Sequence, residues 1–247
     1  MERSVYEDMN RLEQSHWWFV ARREILAKVI DAYVPRGSAI LDVGCGTGFV
    51  LQQLKNDYEA HGLDAAPIAV DFCHQKGLPN VHLGLLGETD FGRREFDLVS
   101  FLDVLEHLDD DVGAMTKARA LVKKGGLLLV TVPAYQFLWS AHDVSHHHRR
   151  RYTRKGLERA VRAAGFEPLF VSYFNSVLFP LIFSARMAGK LLGSSSTSDA
   201  EGQPPPLVNK LLHAAFSAEK AVLPRVSMPF GVSLLCVARA VGSASPD

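Results

Sequence analysis

The chain has 247 residues, with 27 basic and 27 acidic side chains and 47% hydrophobic residues. That length and apolar content allow one full-sized core with additions, and the balanced charge excludes a general attraction to nucleic acid. Three scattered cysteines, Cys45, Cys73 and Cys236, with no C-x-x-C pair argue against a disulfide framework or zinc knuckle and fit a reducing cytoplasm.

The elements follow in chain order. Met1-Glu2-Arg3-Ser4 leads into polar residues, so no signal peptide is expected, and the chain has no apolar run of about 18 residues that would span a membrane. Residues 5–34 read as helical and carry an aromatic cluster, His16-Trp17-Trp18-Phe19, followed by Arg22-Arg23. A first strand over 38–43 precedes a helix over 47–56, and a second strand covers 58–63. Asp64-Ala65-Ala66-Pro67 starts the next helix, with a carboxylate cap and a proline in the first turn. Strands follow at 80–83 and 96–102, the second nearly all apolar, as a strand buried on both faces should be. A helix over 109–122, a Gly125-Gly126 turn and a fifth strand over 127–132 ending at Pro133 complete this half. Thr153 caps a helix that Gly165 terminates, and Glu167 to Tyr173 is the sixth strand. An apolar helix-like stretch fills 174–192, a low-complexity mobile linker 193–206, a helix 207–222, and a last strand 232–239. Strands alternating with helices predict a doubly wound, mostly parallel α/β sheet.

The densest signal is Ile40-Leu41-Asp42-Val43-Gly44-Cys45-Gly46-Thr47-Gly48, with Gly62-Leu63-Asp64 after it. An apolar strand enters a glycine bend, and a second strand ends in a carboxylate able to accept both hydroxyls of a ribose. The spacing is G-x-G-x-G rather than the dinucleotide G-x-G-x-x-G. Asp42 would repel a pyrophosphate and suits a ligand bearing an ammonium group.

This segment resembles the first motif of class I S-adenosylmethionine-dependent methyltransferases. The resemblance implies a seven-stranded sheet whose last strand inserts antiparallel beside the sixth. It implies S-adenosylmethionine as cofactor, with Asp42, Gly44 and Gly46 facing its methionine part and Gly48 permitting the helix to approach. Cys45 lies within the same bend. Asp64 would take the ribose, Ala65 would lie beside the adenine, and Asp103 would touch the cofactor. Leu85 stands where the family often has an acid for the adenine amino group, leaving backbone groups or Glu88 for that task. The implied organisation is an N-terminal helical cap (1–34), a methyltransferase domain (35–173 plus 223–247) and a helical insertion (174–222).

Methyl transfer from a sulfonium needs alignment and a dry site more than acid–base help, because its leaving group is neutral. A hydroxyl acceptor adds the need for a base. Asp103-Val104-Leu105-Glu106-His107 resembles the family's fourth motif, with His107 as a candidate base and Glu106 holding loop amides. His142, paired with Asp143, is a second candidate. Arg150 and Arg151 would bind an anionic group on the acceptor. His148, Arg150, Arg151 and Tyr152 match the H-D…H-x-R-R-Y pattern of a methyltransferase subgroup that also carries H-W-W-F, which would place Trp17 and its neighbours as a lid. Adjacent histidines splay apart, so no metal is expected in 142–148. Segment 174–192 suggests a substrate-covering or membrane-surface helix, with Arg186 and Lys190 on its polar side.

The expected function is methylation, preferably of a hydroxyl, on a small-molecule or lipid-linked acceptor, by a cytoplasmic enzyme that is membrane-peripheral if 174–192 meets a lipid surface. No nucleic-acid partner is expected. A catalytically idle S-adenosylmethionine-binding scaffold is one alternative. An NAD-dependent oxidoreductase is another, but it lacks both the glycine spacing and a Tyr-x-x-x-Lys acid: Lys155 lies three residues after Tyr152, where Gly156 holds the fourth position.

Overall fold

The computed structural model describes residues 3–91, 95–191 and 202–241. Most of the linker expected at 193–206 lies outside the described residues.

Seven strands form one sheet: β1 (Ala39–Val43), β2 (Glu59–Asp64), β3 (Val81–Leu83), β4 (Phe96–Leu102), β5 (Val122–Pro133), β6 (Phe166–Phe174) and β7 (Ser233–Ala240). Their order is β3-β2-β1-β4-β5-β7-β6. β1 pairs in parallel with β2 and β4, β2 with β3, and β4 with β5, whereas β7 runs antiparallel between β5 and β6. The strand order reverses between β1 and β4, which opens a crevice beyond their carboxyl ends. The expected α/β architecture is therefore present.

Nine α-helices are described: α1 (Arg3–Leu12), α2 (Trp17–Tyr33), α3 (Phe49–Leu54), α4 (Pro67–Gln75), α5 (Asp111–Arg119), α6 (Ala141–Ser145), α7 (Arg154–Ala163), α8 (Phe179–Leu191) and α9 (Pro206–Ser217). They cover both faces of the sheet. On one face, Met115 and Ala118 of α5 and Leu157 and Val161 of α7 pack against Phe101, Leu128 and Val130. On the other, Ile25, Val29 and Ile30 of α2 and Phe216 of α9 pack against Leu98, Leu129 and Leu235. The N-terminal cap and the insertion thus meet in one layer. Glu24 of α2 accepts from Lys220 at 2.6 Å and pairs with His213 at 3.1 Å.

Several boundaries differ from expectation. The helix read over 5–34 is two helices, broken at residues 13–16, where His16 Nδ1 accepts from the Trp18 N–H at 3.4 Å. Asp64 does not cap α4. It accepts the Ala66 N–H at 2.9 Å one step earlier, and Pro67 opens the helix. α5 is shorter than 109–122 because Val122 already pairs with Phe96, so β5 begins there and runs through Gly125-Gly126. Thr153 and Gly165 delimit α7 as read: the Thr153 hydroxyl accepts from Gly156 at 3.2 Å, and Gly165 has φ +83°.

Candidate active site

The crevice is built first by the bend after β1. Gly44, Gly46 and Gly48 have φ of +73°, +55° and +83°. A Cβ on Gly44 would sit 2.6 Å from Val104 Cγ2, and one on Gly48 2.6 Å from Cys73 Sγ, so both torsion and space demand glycine. The N–H groups of Gly44 and Cys45 donate to Leu63 O, tying the bend to β2. Cys45 is buried below it, and Ala65 is exposed beside Asp64. Asp64 Oδ2 accepts the Gly46 N–H at 2.9 Å.

Asp42 is buried on β1 and accepts from the Ser100 hydroxyl at 2.7 Å. Burial pushes its carboxyl up to about 7, with Asp64 and Glu13 adding to the rise and Ser100 and Arg22 opposing it. A buried carboxyl held this way favours a positive ligand group and disfavours a phosphate. The residues present therefore fit the methionine end and the ribose of S-adenosylmethionine.

α1 covers the bend from the N-terminal side. Met9 Cε lies 3.7 Å from where a Cβ on Gly46 would be, and the Thr47 hydroxyl donates to Glu13. Lys76 donates to Asn10 and lies 4.5 Å over the Phe49 ring. Trp17, expected in a lid, packs edge-on against Phe216 of α9 at 6.0 Å, and its backbone N–H donates to Asn209 Oδ1 at 2.9 Å. Arg22 enters the crevice and pairs with Asp103 at 2.6 Å. No role was read for Arg22 in the sequence; the signal was a cation one turn after the aromatic cluster, on the helix face that is otherwise apolar. Glu88, the alternative adenine contact, is exposed.

Asp103, just past β4, has φ +60°. The turn after it carries Glu106 and His107 toward the segment 140–152. Burial and then the neighbouring His148 lower His107 to about 4; burial and then His146 lower His142 to about 3. Both are neutral at pH 7 and weak as bases, since a general base works best with a pKa near the operating pH. Asp143 turns to His148 and Arg151. Its Oδ1 lies 2.8 Å from His148 Nδ1, and Arg151 binds both of its oxygens at 2.7 and 3.0 Å. Despite the cost of its own burial, His148 and Arg151 hold the Asp143 carboxyl well below the usual carboxylate range.

The arginines expected to bind an anion are thus engaged inside the protein. Arg151 is buried, and Arg150 donates to the carbonyls of Leu108 and Asp109. Tyr152 is buried too, and its hydroxyl donates to Asp111 at 2.6 Å. These matched positions staple the 105–111 loop to the 149–152 segment. Burial, then the Asp111 hydrogen bond, push the Tyr152 phenol far above its ordinary value.

The methyltransferase-domain family profile matches residues 19–170. The chain is 30% identical over 120 residues to aklanonic acid methyltransferase DauC of a Streptomyces species, covering 44% of this chain and 54% of the relative. It is 33% identical over 99 residues to a ubiquinone biosynthesis O-methyltransferase of Cereibacter sphaeroides, covering 38% and 40%. The alignments thus span about half or less of these curated relatives. Among solved structures, the [4+2]-cyclase SpnF superposes with a TM-score of 0.58 at 20% identity, covering 96% of each chain. Haemonchus contortus phosphoethanolamine N-methyltransferase 2, solved with S-adenosyl-L-methionine, does so with a TM-score of 0.53 at 17% identity, covering 88% of this chain and 52% of that one. The family match sets aside the NAD-dependent oxidoreductase reading. The chain belongs to the methyltransferase-domain family, with S-adenosylmethionine as its cofactor.

Proposed function

We propose that the protein methylates a hydroxyl on a small-molecule or lipid-linked acceptor. The observation that carries the cofactor half is the acidic glycine bend: Asp42 buried behind it and Asp64 bonded to the Gly46 amide. Asp42, Gly44, Cys45, Gly46 and Gly48 would hold the methionine end, Asp64 and Ala65 the nucleoside, and Asp103 the cofactor's flank beside Arg22. When bound, the cofactor supplies an electrophilic methyl group on a sulfonium. The chain's own part is to hold the acceptor in line and exclude water.

The hydroxyl reading is supported by the relative named a ubiquinone biosynthesis O-methyltransferase. The lipid-linked reading is supported by the apolar surface of the insertion. On and just before α8, Leu181 is 62% exposed, Val177 53% and Phe183 37%. Among the described residues no helix is long and apolar enough to cross a membrane, so any contact would be peripheral.

The test is methyl transfer from radiolabelled S-adenosylmethionine into a panel of phenols, catechols and polyprenyl-linked saccharides. Label released by alkaline hydrolysis of methyl esters would point to carboxylate acceptors instead. Cofactor binding with no transfer to any acceptor class would favour the scaffold alternative.

A further inference from the structure

We infer that Glu106, His107 and His148 form a binding site for one divalent first-row cation of the zinc type. One ligand atom from each lies within 4.8 Å of the others. Metal bonds of about 2.0–2.2 Å would draw these atoms roughly 1–1.5 Å closer, within reach of side-chain rotation. Two imidazoles and a carboxylate suit zinc, cobalt or manganese and leave at least one coordination position open.

The first observation is the state of Glu106. Its side chain is buried at 1% exposure, and neither carboxylate oxygen has a hydrogen-bond partner. Burying such a group costs several kcal/mol unless a cation or proton neutralises it. Asp103 nearby adds repulsion, with Arg22 and Arg151 offsetting part of it.

The second observation concerns the two imidazoles. His148 uses Nδ1 on Asp143, and the His107 ring lies edge-on to the His148 ring with centroids 4.8 Å apart. His148 therefore keeps Nε2 for another partner, with its orientation fixed from behind. A carboxylate or carbonyl behind a metal-binding histidine is the usual arrangement.

The third is the rigidity of the frame. The Arg149 N–H donates to Glu106 O at 2.8 Å and its Nε to His107 O at 3.0 Å. Arg150 holds the next two carbonyls, and Arg151 with the Ser140 N–H pins Asp143. The run of three arginines thus brings Glu106 and His107 against His148, about forty residues on. From the sequence, no metal is expected in 142–148, a run that holds four histidines. The set takes only one of them and finds its other members on a different loop. Resting on the hydroxyl acceptor proposed above, the open position would be available to an oxygen of that acceptor.

Cobalt(II) titration of the chelator-treated full chain tests this without any activity measurement. Wild type should take up one equivalent, give visible ligand-field bands of low coordination number, release cobalt to zinc, and melt at a higher temperature with metal than without. Glu106→Gln and His148→Ala should bind at least about 100-fold more weakly, and Asp143→Asn about 10- to 100-fold more weakly. His147→Ala, at an exposed position outside the set, should bind as wild type does. Glu106→Gln removes a buried charge, so its metal-free form should melt no lower than wild type. Binding of S-adenosylhomocysteine by each variant reports that it is folded. No uptake by wild type, with Glu106 carrying a proton instead, would overturn the site. Undiminished uptake by Glu106→Gln or His148→Ala would overturn it equally, and neither result bears on cofactor binding.

Discussion

Asp64 and Gly46 are joined by a 2.9 Å hydrogen bond from the glycine amide to the carboxylate, eighteen residues apart in the chain. The bond links the end of β2 to the bend after β1 and fixes a carboxylate at the mouth of the crevice. Replacing Asp64 by Ala removes the ribose acceptor and frees the Gly46 amide. Loss of a charge-assisted bond of this type costs about 1.5–3 kcal/mol. Calorimetry should show S-adenosylhomocysteine binding to Asp64→Ala weakened by about 10- to 100-fold, and unchanged affinity would remove the assigned role.

Asp42 makes binding depend on pH. Its carboxyl is raised from an ordinary 3.8 to about 7 in the ligand-free protein, chiefly by burial. Between those values the folded chain binds more protons here than the unfolded chain. This group's contribution to stability therefore declines as pH rises through that window. A ligand ammonium reverses the preference and favours the ionised form. Affinity for S-adenosylmethionine should therefore fall as pH drops from 8 to 5.5, with proton release on binding near pH 6–7. Asp42→Asn should bind weakly at every pH and show no proton release. A flat affinity profile in wild type would contradict this.

Arg151 and Asp143 form a buried, doubly bonded ion pair. Removing one partner of such a pair strands the other and typically costs about 3–5 kcal/mol. Urea denaturation of Arg151→Met should show a loss of that order. Arg151→Lys should also be destabilised, since an ammonium cannot reproduce the two-pronged contact. A loss below about 1 kcal/mol in Arg151→Met would mean that the pair does not organise this loop.

Contact of α8 with a lipid surface predicts that the protein co-sediments with vesicles, and more strongly when they contain anionic lipid. Leu181→Asp, on an exposed turn, should reduce the bound fraction without lowering the melting temperature. Absence of binding to either vesicle type would remove the peripheral-membrane reading.

The bend, the second-strand carboxylate and the sheet were legible because their signals are local. G-x-G-x-G after an apolar strand states a torsional need that only glycine meets, and the alternation of strands and helices states the layering. The break before His16 was not legible, because Glu13-Gln14-Ser15-His16 has neither proline nor glycine to mark it. Arg150 and Arg151 were readable as charges but not as staples. Their partners, the Leu108 and Asp109 carbonyls and Asp143, are set by how two loops meet over β4 and β5. His148 and Glu106 met for the same reason: forty-two residues separate them in sequence, and no spacing rule links them. Trp17 shows the converse: an aromatic that reads as a lid packs edge-on against Phe216 of α9.

An amino-acid sulfonium nucleoside should seat in the bend that closes β1. Titrating S-adenosylhomocysteine and NAD in parallel into the purified chain at pH 8 tests it most directly. One equivalent of S-adenosylhomocysteine bound in the micromolar range, with no heat from NAD, is the predicted result. Saturable binding of NAD with none of S-adenosylhomocysteine would contradict it.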